Sequence, residues 1–314
     1  MRFDTFKESI LNHLRDYLPE EYGDARIKVE EVTKLDKTYR ALSVCRKGSN
    51  IIPMIDLDGL YERFCEESGS LLEKITRGIA EGVVREIRWK ESMQDDFYLD
   101  YETARKRLFI RVSDAELNRK MLEDLPHRVI EGLALTCHLF FVSEDRHLYT
   151  TAVTRSLCGD YGISEEELME EALRNSPKVF PPRFQPLEER IRELEGEAEV
   201  IRISPQPGPK LYELTNREQI NGASALFYPG MMEEIAHRLE DSYFILPSSV
   251  HEVMILPEGE GADPGILKEI VRGANLQCLG DGDRLSDNVF HYDMKAKRFE
   301  TVDDWQHRTG YYLN

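Results

Sequence analysis

The chain has 314 residues, 41% hydrophobic and 32% charged, with 41 Lys and Arg against 59 Asp and Glu and a formal net charge of -18. That length supports one large or two ordinary domains, while the acidic excess repels phosphate backbones and makes nucleic acid an unfavoured partner. The chain carries no apolar run of about 18 residues that would span a bilayer, and its start, MRFDTFKESI, lacks the apolar core of a secretory leader, so a cytoplasmic location is expected.

Phe3, Phe6, Ile10 and Leu14 recur near helical spacing and predict an amphipathic first helix ending before Pro19. Residues 26–35 and 41–46 alternate as a hairpin, and 50–57 (NIIPMIDL) adds a third extended run, with Pro53 pointing to an edge or bulged position. Two helical patterns follow, around Leu60, Tyr61 and Phe64 and then from Leu71 to Trp89; Gly78 and Gly82 in the second suggest a close helix contact. An acidic-aromatic connector over 91–101 leads to a strand at 107–112 (RLFIRV).

Strands are expected at 129–133, 135–142 and 146–151, then a short helix at 152–158 and a longer one at 164–175, which Ser164 and Glu167 open with a capping box. Four prolines in 175–186 oppose regular structure and place a lobe boundary between about 175 and 210. A charged helix at 187–199, a second proline break at 204–209 and a strand at 211–215 come next.

The most legible unit is 230–274: a helix with Met231, Ile235 and Leu239 at helical spacing, then YFILPSSVHEVMILP over 243–257, then a second helix. Apolar runs 243–246 and 250–256 flank Pro247, Ser248 and Ser249, a turn-forming cluster, so this stretch reads as a central hairpin. Two short strands follow at 289–292 and 298–302, and 303–314 reads as a loosely attached tail. The expectation is an α+β protein of two lobes, 1–180 and 200–302, with antiparallel hairpins covered by helices and a possible internal duplication.

Candidate chemistry is sparse. His251 and Glu252 form a tempting acid-base pair, but neighbours on a strand point to opposite faces, so structural roles are favoured. Cys137 and His138 raise a thiol nucleophile, against which Cys137 lies between Leu135 and Leu139 on an apolar strand face. His127 and His147 are placed to approach His138, although a metal site needs three or four converging ligands. Asp56 and Asp58 suit a strand-to-helix cap by Asp58; Asp263 before Pro264 suits a helix cap; Asp281, Asp283 and Asp287 lack the pattern of a calcium loop. Cys45, Cys65, Cys137, Cys158 and Cys278, odd in number and without a CxxC pair, read as reduced thiols. No cofactor or metal is expected.

The segments DLPH at 124–127, GISEEEL at 162–168, LYELTN at 211–216, NGA at 221–223, YPG at 228–230 and ILPSSVHE at 245–252 together resemble the clostridial family labelled domain of unknown function 5688. The resemblance spans about residues 1–302; more remotely, the order of segments is similar to the uncharacterised YtpQ-like family. Neither resemblance implies an activity or ligand. The leading expectation is a non-enzymatic binding or adaptor module with a protein or small-molecule partner. Its rivals are a hydrolase or metal-dependent enzyme with dispersed His, Cys and carboxylate groups, and a nucleic-acid-linked accessory protein.

Overall fold

Phe6, Ile10 and Leu14 form the buried stripe of α1, Phe3–Tyr17, in the computed structural model. The structure describes residues 1–34, 37–46, 53–66, 72–92, 100–142, 148–195, 209–278 and 283–311. Two compact units divide it, Met1–Leu99 and Asp100–Asn314.

In the first unit, β1 (Arg26–Lys34) and β2 (Lys37–Cys45) form an antiparallel hairpin that sets Ile27 opposite Val44 and Val29 opposite Leu42. β3 (Met54–Asp56) joins the free side of β2, and Pro53, which has no N–H to give, lies just before this edge strand. Helices α2 (Leu57–Glu66) and α3 (Leu72–Ser92) complete a core of Phe6, Ile10, Leu14, Leu42, Val44, Phe64, Ile79, Val83 and Ile87. Gly78 and Gly82 do not serve a close contact among the described residues: beyond the helix's own backbone, none of them comes within 4 Å of a Cβ built at either. The roles of the two aspartates also differ from expectation. Asp56 accepts the N–H groups of Asp58 and Gly59 and caps α2, whereas Asp58 takes the Arg40 backbone N–H at 2.8 Å and its guanidinium at 2.9 Å.

The second unit holds two sheets. In the first, β4 (Leu108–Asp114), β5 (His127–Ile130), β6 (Leu133–Val142) and β7 (Leu148–Ala152) are all antiparallel, with β4 on one edge of β6 and β5 then β7 on the other. The two-residue turn between β5 and β6 uses Glu131 and Gly132 at φ of 50° and 81°, the positive values that a tight hairpin requires. After α4 (Arg155–Asp160), the capping box of Ser164 and Glu167 opens α5 (Glu165–Val179). Helix α5 lies on one face of this sheet, with Met169 Sδ 3.9 Å from Cys137 Sγ.

The second sheet is built from β8 (Pro182–Pro186), β9 (Tyr212–Asn216), β10 (Tyr243–Pro247), β11 (Val253–Pro257), β12 (Phe290–Asp293) and β13 (Arg298–Thr301), in the order β13-β12-β10-β11-β9-β8. Helices α6 (Leu187–Glu195), α7 (Met231–Leu239), α8 (Pro264–Cys278) and α9 (Val302–Thr309) intervene or follow. The β10–β11 hairpin occupies the middle of the sheet, and Phe244, Leu246 and Leu256 meet Leu267, Val271, Val302 and Trp305 in one core. The architecture is α+β.

Three local expectations give way. Prolines do not interrupt 175–186: Pro177 sits in the last turns of α5, and Pro182 and Pro186 belong to β8, an edge strand where a missing N–H is tolerated. The strand expected from 250 begins at Val253, because Val250 turns away to donate its N–H to Asp283. Residues 302–309 are no loose tail: Thr301 caps α9, and Trp305, 3% exposed, stacks on His291 at 4.6 Å. The interval 175–210, where a boundary was anticipated, lies inside the second unit and contains β8. The expected connector at 91–101, the break at 204–209, His147 and Asp281 lie wholly or largely outside the described residues.

Candidate functional site

The β10–β11 tip is tied down by segments distant in sequence. Thr215 at the end of β9 donates its hydroxyl to the carbonyl of His251 at 2.7 Å, and the Asn216 side chain brackets Ile220 with bonds of 2.7 and 3.2 Å. Asn221 has φ of 51°, a left-handed conformation that asparagine tolerates better than most residues. Its N–H donates to Nδ1 of His251 at 3.1 Å, and the Ala223 N–H reaches the carbonyl of Val250. Gly222 fits between them because it has no Cβ: one built there would meet Thr215 Oγ1 at 2.2 Å, His251 O at 2.5 Å and Asn216 N at 2.6 Å.

This arrangement assigns His251 and Glu252 to different neighbours. Since Nδ1 accepts from Asn221, a neutral His251 ring carries its proton on Nε2, which faces the Asp283 carboxylate at 3.6 Å. The ring's acceptor nitrogen is thus occupied, and no lone pair remains for a general base. Glu252 accepts from Ser248 Oγ at 3.2 Å and lies near Glu213, whose carboxyl is pushed up by burial despite Arg183 and Arg190 beside it. Asp287, the other aspartate of this loop, holds Asn275 and Arg284.

Cys137 and His138 occupy opposite faces of β6. Burial beneath α5 pushes the Cys137 thiol up to about 12, so it is not a thiolate at neutral pH. On the other face, His138 is 6% exposed and burial holds it well below the ordinary imidazole range, with the Arg111 charge adding to the effect. Its Nε2 lies 2.9 Å from Thr136 Oγ1, and its Nδ1 is buried without a partner among the described residues.

Around His138 the register assembles a polar patch. Arg111 on β4 stands directly opposite Thr136 on β6, and Thr136 stands opposite His127 on β5. Ser113 lies on the same face two residues beyond Arg111, its buried hydroxyl also unpartnered among the described residues. Arg111 is partly buried; burial lowers its pKa, and no described carboxylate pairs with it. His127 donates from Nδ1 to the Leu125 carbonyl at 2.8 Å. Phe109, Phe140 and Phe180 frame the patch, with Phe180 at 4.8 Å from Phe109 and 5.6 Å from Phe140.

The two places are connected. The turn Gly222–Phe227 that leaves Asn221 packs against β4, and the Tyr228 hydroxyl after it donates to the Phe180 carbonyl at 3.2 Å. The sequence reading singled out His138 and His127 but missed Arg111, Ser113 and Thr136. Their signal is polar residues alternating with apolar ones in LFIRVSD and LALTCHLFFV. Among the described residues no group of three or more His, Cys, Asp and Glu is arranged to hold a metal ion, and no helix is long and apolar enough to cross a membrane.

No curated protein and no solved structure matches the chain. One family model does, over residues 3–294, so the segments that meet at the hairpin tip lie within the matched region. The chain belongs to the family of unknown function DUF5688.

Proposed function

We propose that the protein is a cytoplasmic, non-enzymatic binding module and that its ligand seats on the Arg111, Thr136 and His138 face of the four-stranded sheet. The observation that carries this reading is Arg111, a partly buried cation with no carboxylate partner among the described residues. An uncompensated charge in such a place costs stability, and an external partner offsets that cost. The four candidate catalytic groups support binding over catalysis. Cys137 is held as a thiol, His138 is neutral and enclosed, the acceptor nitrogen of His251 is committed to Asn221, and Glu252 serves Ser248.

Native mass spectrometry of gently purified protein tests the reading. A retained small molecule is expected on the wild type and absent from Arg111→Met. Turnover in a broad hydrolase panel that is lost in His251→Ala or His138→Gln contradicts it.

A further inference from the structure

We propose that the group bound by this face is a carboxylate on a small, largely apolar molecule, taken by the Arg111 guanidinium. The inference rests on the binding reading above and names the ligand's chemistry.

The patch presents donors. A guanidinium offers a planar fork that matches a carboxylate through two parallel N–H···O bonds. Directly across the strand pair from Arg111 stands the Thr136 hydroxyl, 2.9 Å from His138 Nε2. When that hydroxyl donates to Nε2, the His138 proton resides on Nδ1, an enclosed N–H lacking an acceptor among the described residues. Ser113, two residues beyond Arg111 on the same face, supplies a hydroxyl that is unpartnered among the described residues. Unsatisfied buried donors are uncommon, and their clustering about one cation points to an acceptor that bears negative charge.

Charge counting selects among anions. One guanidinium beside a neutral imidazole balances one negative charge, whereas a phosphate dianion leaves a second charge poorly compensated in a half-buried setting. A chain of net charge -18 also repels highly charged anions at long range. The surroundings describe the rest of the ligand: Phe109 lies 5.7 Å from the His138 ring, and Phe140 and Phe180 extend the apolar frame. Aromatic walls with a few placed polar groups are the usual make-up of a small-molecule site.

Thermal melting of the full chain with benzoate, benzamide or inorganic phosphate tests the assignment in the wild type, Arg111→Met and Arg111→Lys. Benzoate at ten times its Kd is expected to raise the wild-type Tm by about 3 °C. That rise should vanish in Arg111→Met and shrink in Arg111→Lys, which keeps the charge and loses the fork. Should Arg111→Met fail to fold, the reduced shift of Arg111→Lys carries the comparison. An equal rise with benzamide overturns the carboxylate assignment while leaving the binding reading intact. An equal rise with phosphate overturns the single-charge argument. A benzoate response undiminished in either variant, or no response in the wild type, overturns the inference; retention of a neutral molecule in the native spectrum then separates its failure from that of the binding reading.

Discussion

The ring of His251 accepts the backbone N–H of Asn221 through Nδ1 at 3.1 Å, and this bond makes the histidine a fastener. It holds a residue whose left-handed backbone, at φ of 51°, needs outside support. Replacing His251 with Ala leaves that amide unsatisfied and is expected to cost about 1–2 kcal/mol by urea denaturation. Unchanged stability would show that the Asn221 turn holds itself.

Gly222 is the most constrained position at the same tip. A Cβ there collides with Thr215 Oγ1 and with two backbone atoms, His251 O and Asn216 N. Gly222→Ala is expected to destabilise by more than about 3 kcal/mol, as forced overpacking can. Adding Thr215→Ala should not restore stability, because the backbone atoms remain in place. A soluble double variant with wild-type stability in urea contradicts the packing described.

Acid stability follows from the buried imidazoles. His138 and His291 are both held below their ordinary value of 6.5, chiefly by burial, the latter despite Glu258 at 3.0 Å. The unfolded chain therefore binds protons on these groups before the folded chain does. Their contribution is fully present above about pH 6.5 and is lost as pH falls through the folded values. Stability measured across this window should decline on acidification, and His138→Gln and His291→Gln should each flatten the decline. An unaltered slope in both would contradict the burial argument.

Trp305 tests the status of the C-terminal helix. It is 3% exposed, stacks on His291 and meets Phe244 edge-on at 5.5 Å. Trp305→Ala is expected to cost about 3–5 kcal/mol, as large truncations in a core do. A loss below about 1 kcal/mol would mean the helix is a dispensable appendage.

Local patterns made much of this architecture readable. Phe6, Ile10 and Leu14 announced α1, the Ser164–Glu167 box announced α5, and the apolar runs around Pro247 announced the central hairpin. The edge position of β8 was hidden because proline content reports what a segment cannot donate, and an edge strand asks little of its outer side. The α9 helix was hidden because one buried tryptophan among polar neighbours leaves a faint periodicity. Of the polar patch, His138 and His127 drew notice as histidines. Arg111 did not, since its meaning arises only from the register that sets it opposite Thr136 and from the missing counter-charge. Those are tertiary facts, set by which strands pair.

The most direct measurement compares the ligand-free stability of wild type and Arg111→Met by urea denaturation, after any bound molecule has been removed. If Arg111 is an uncompensated cation kept for a ligand, methionine fills the same volume without the desolvated charge. The variant should then be more stable, by about 1–2 kcal/mol. A variant less stable than wild type by that amount would show that Arg111 supports the fold itself, and would contradict its assignment as a binding residue.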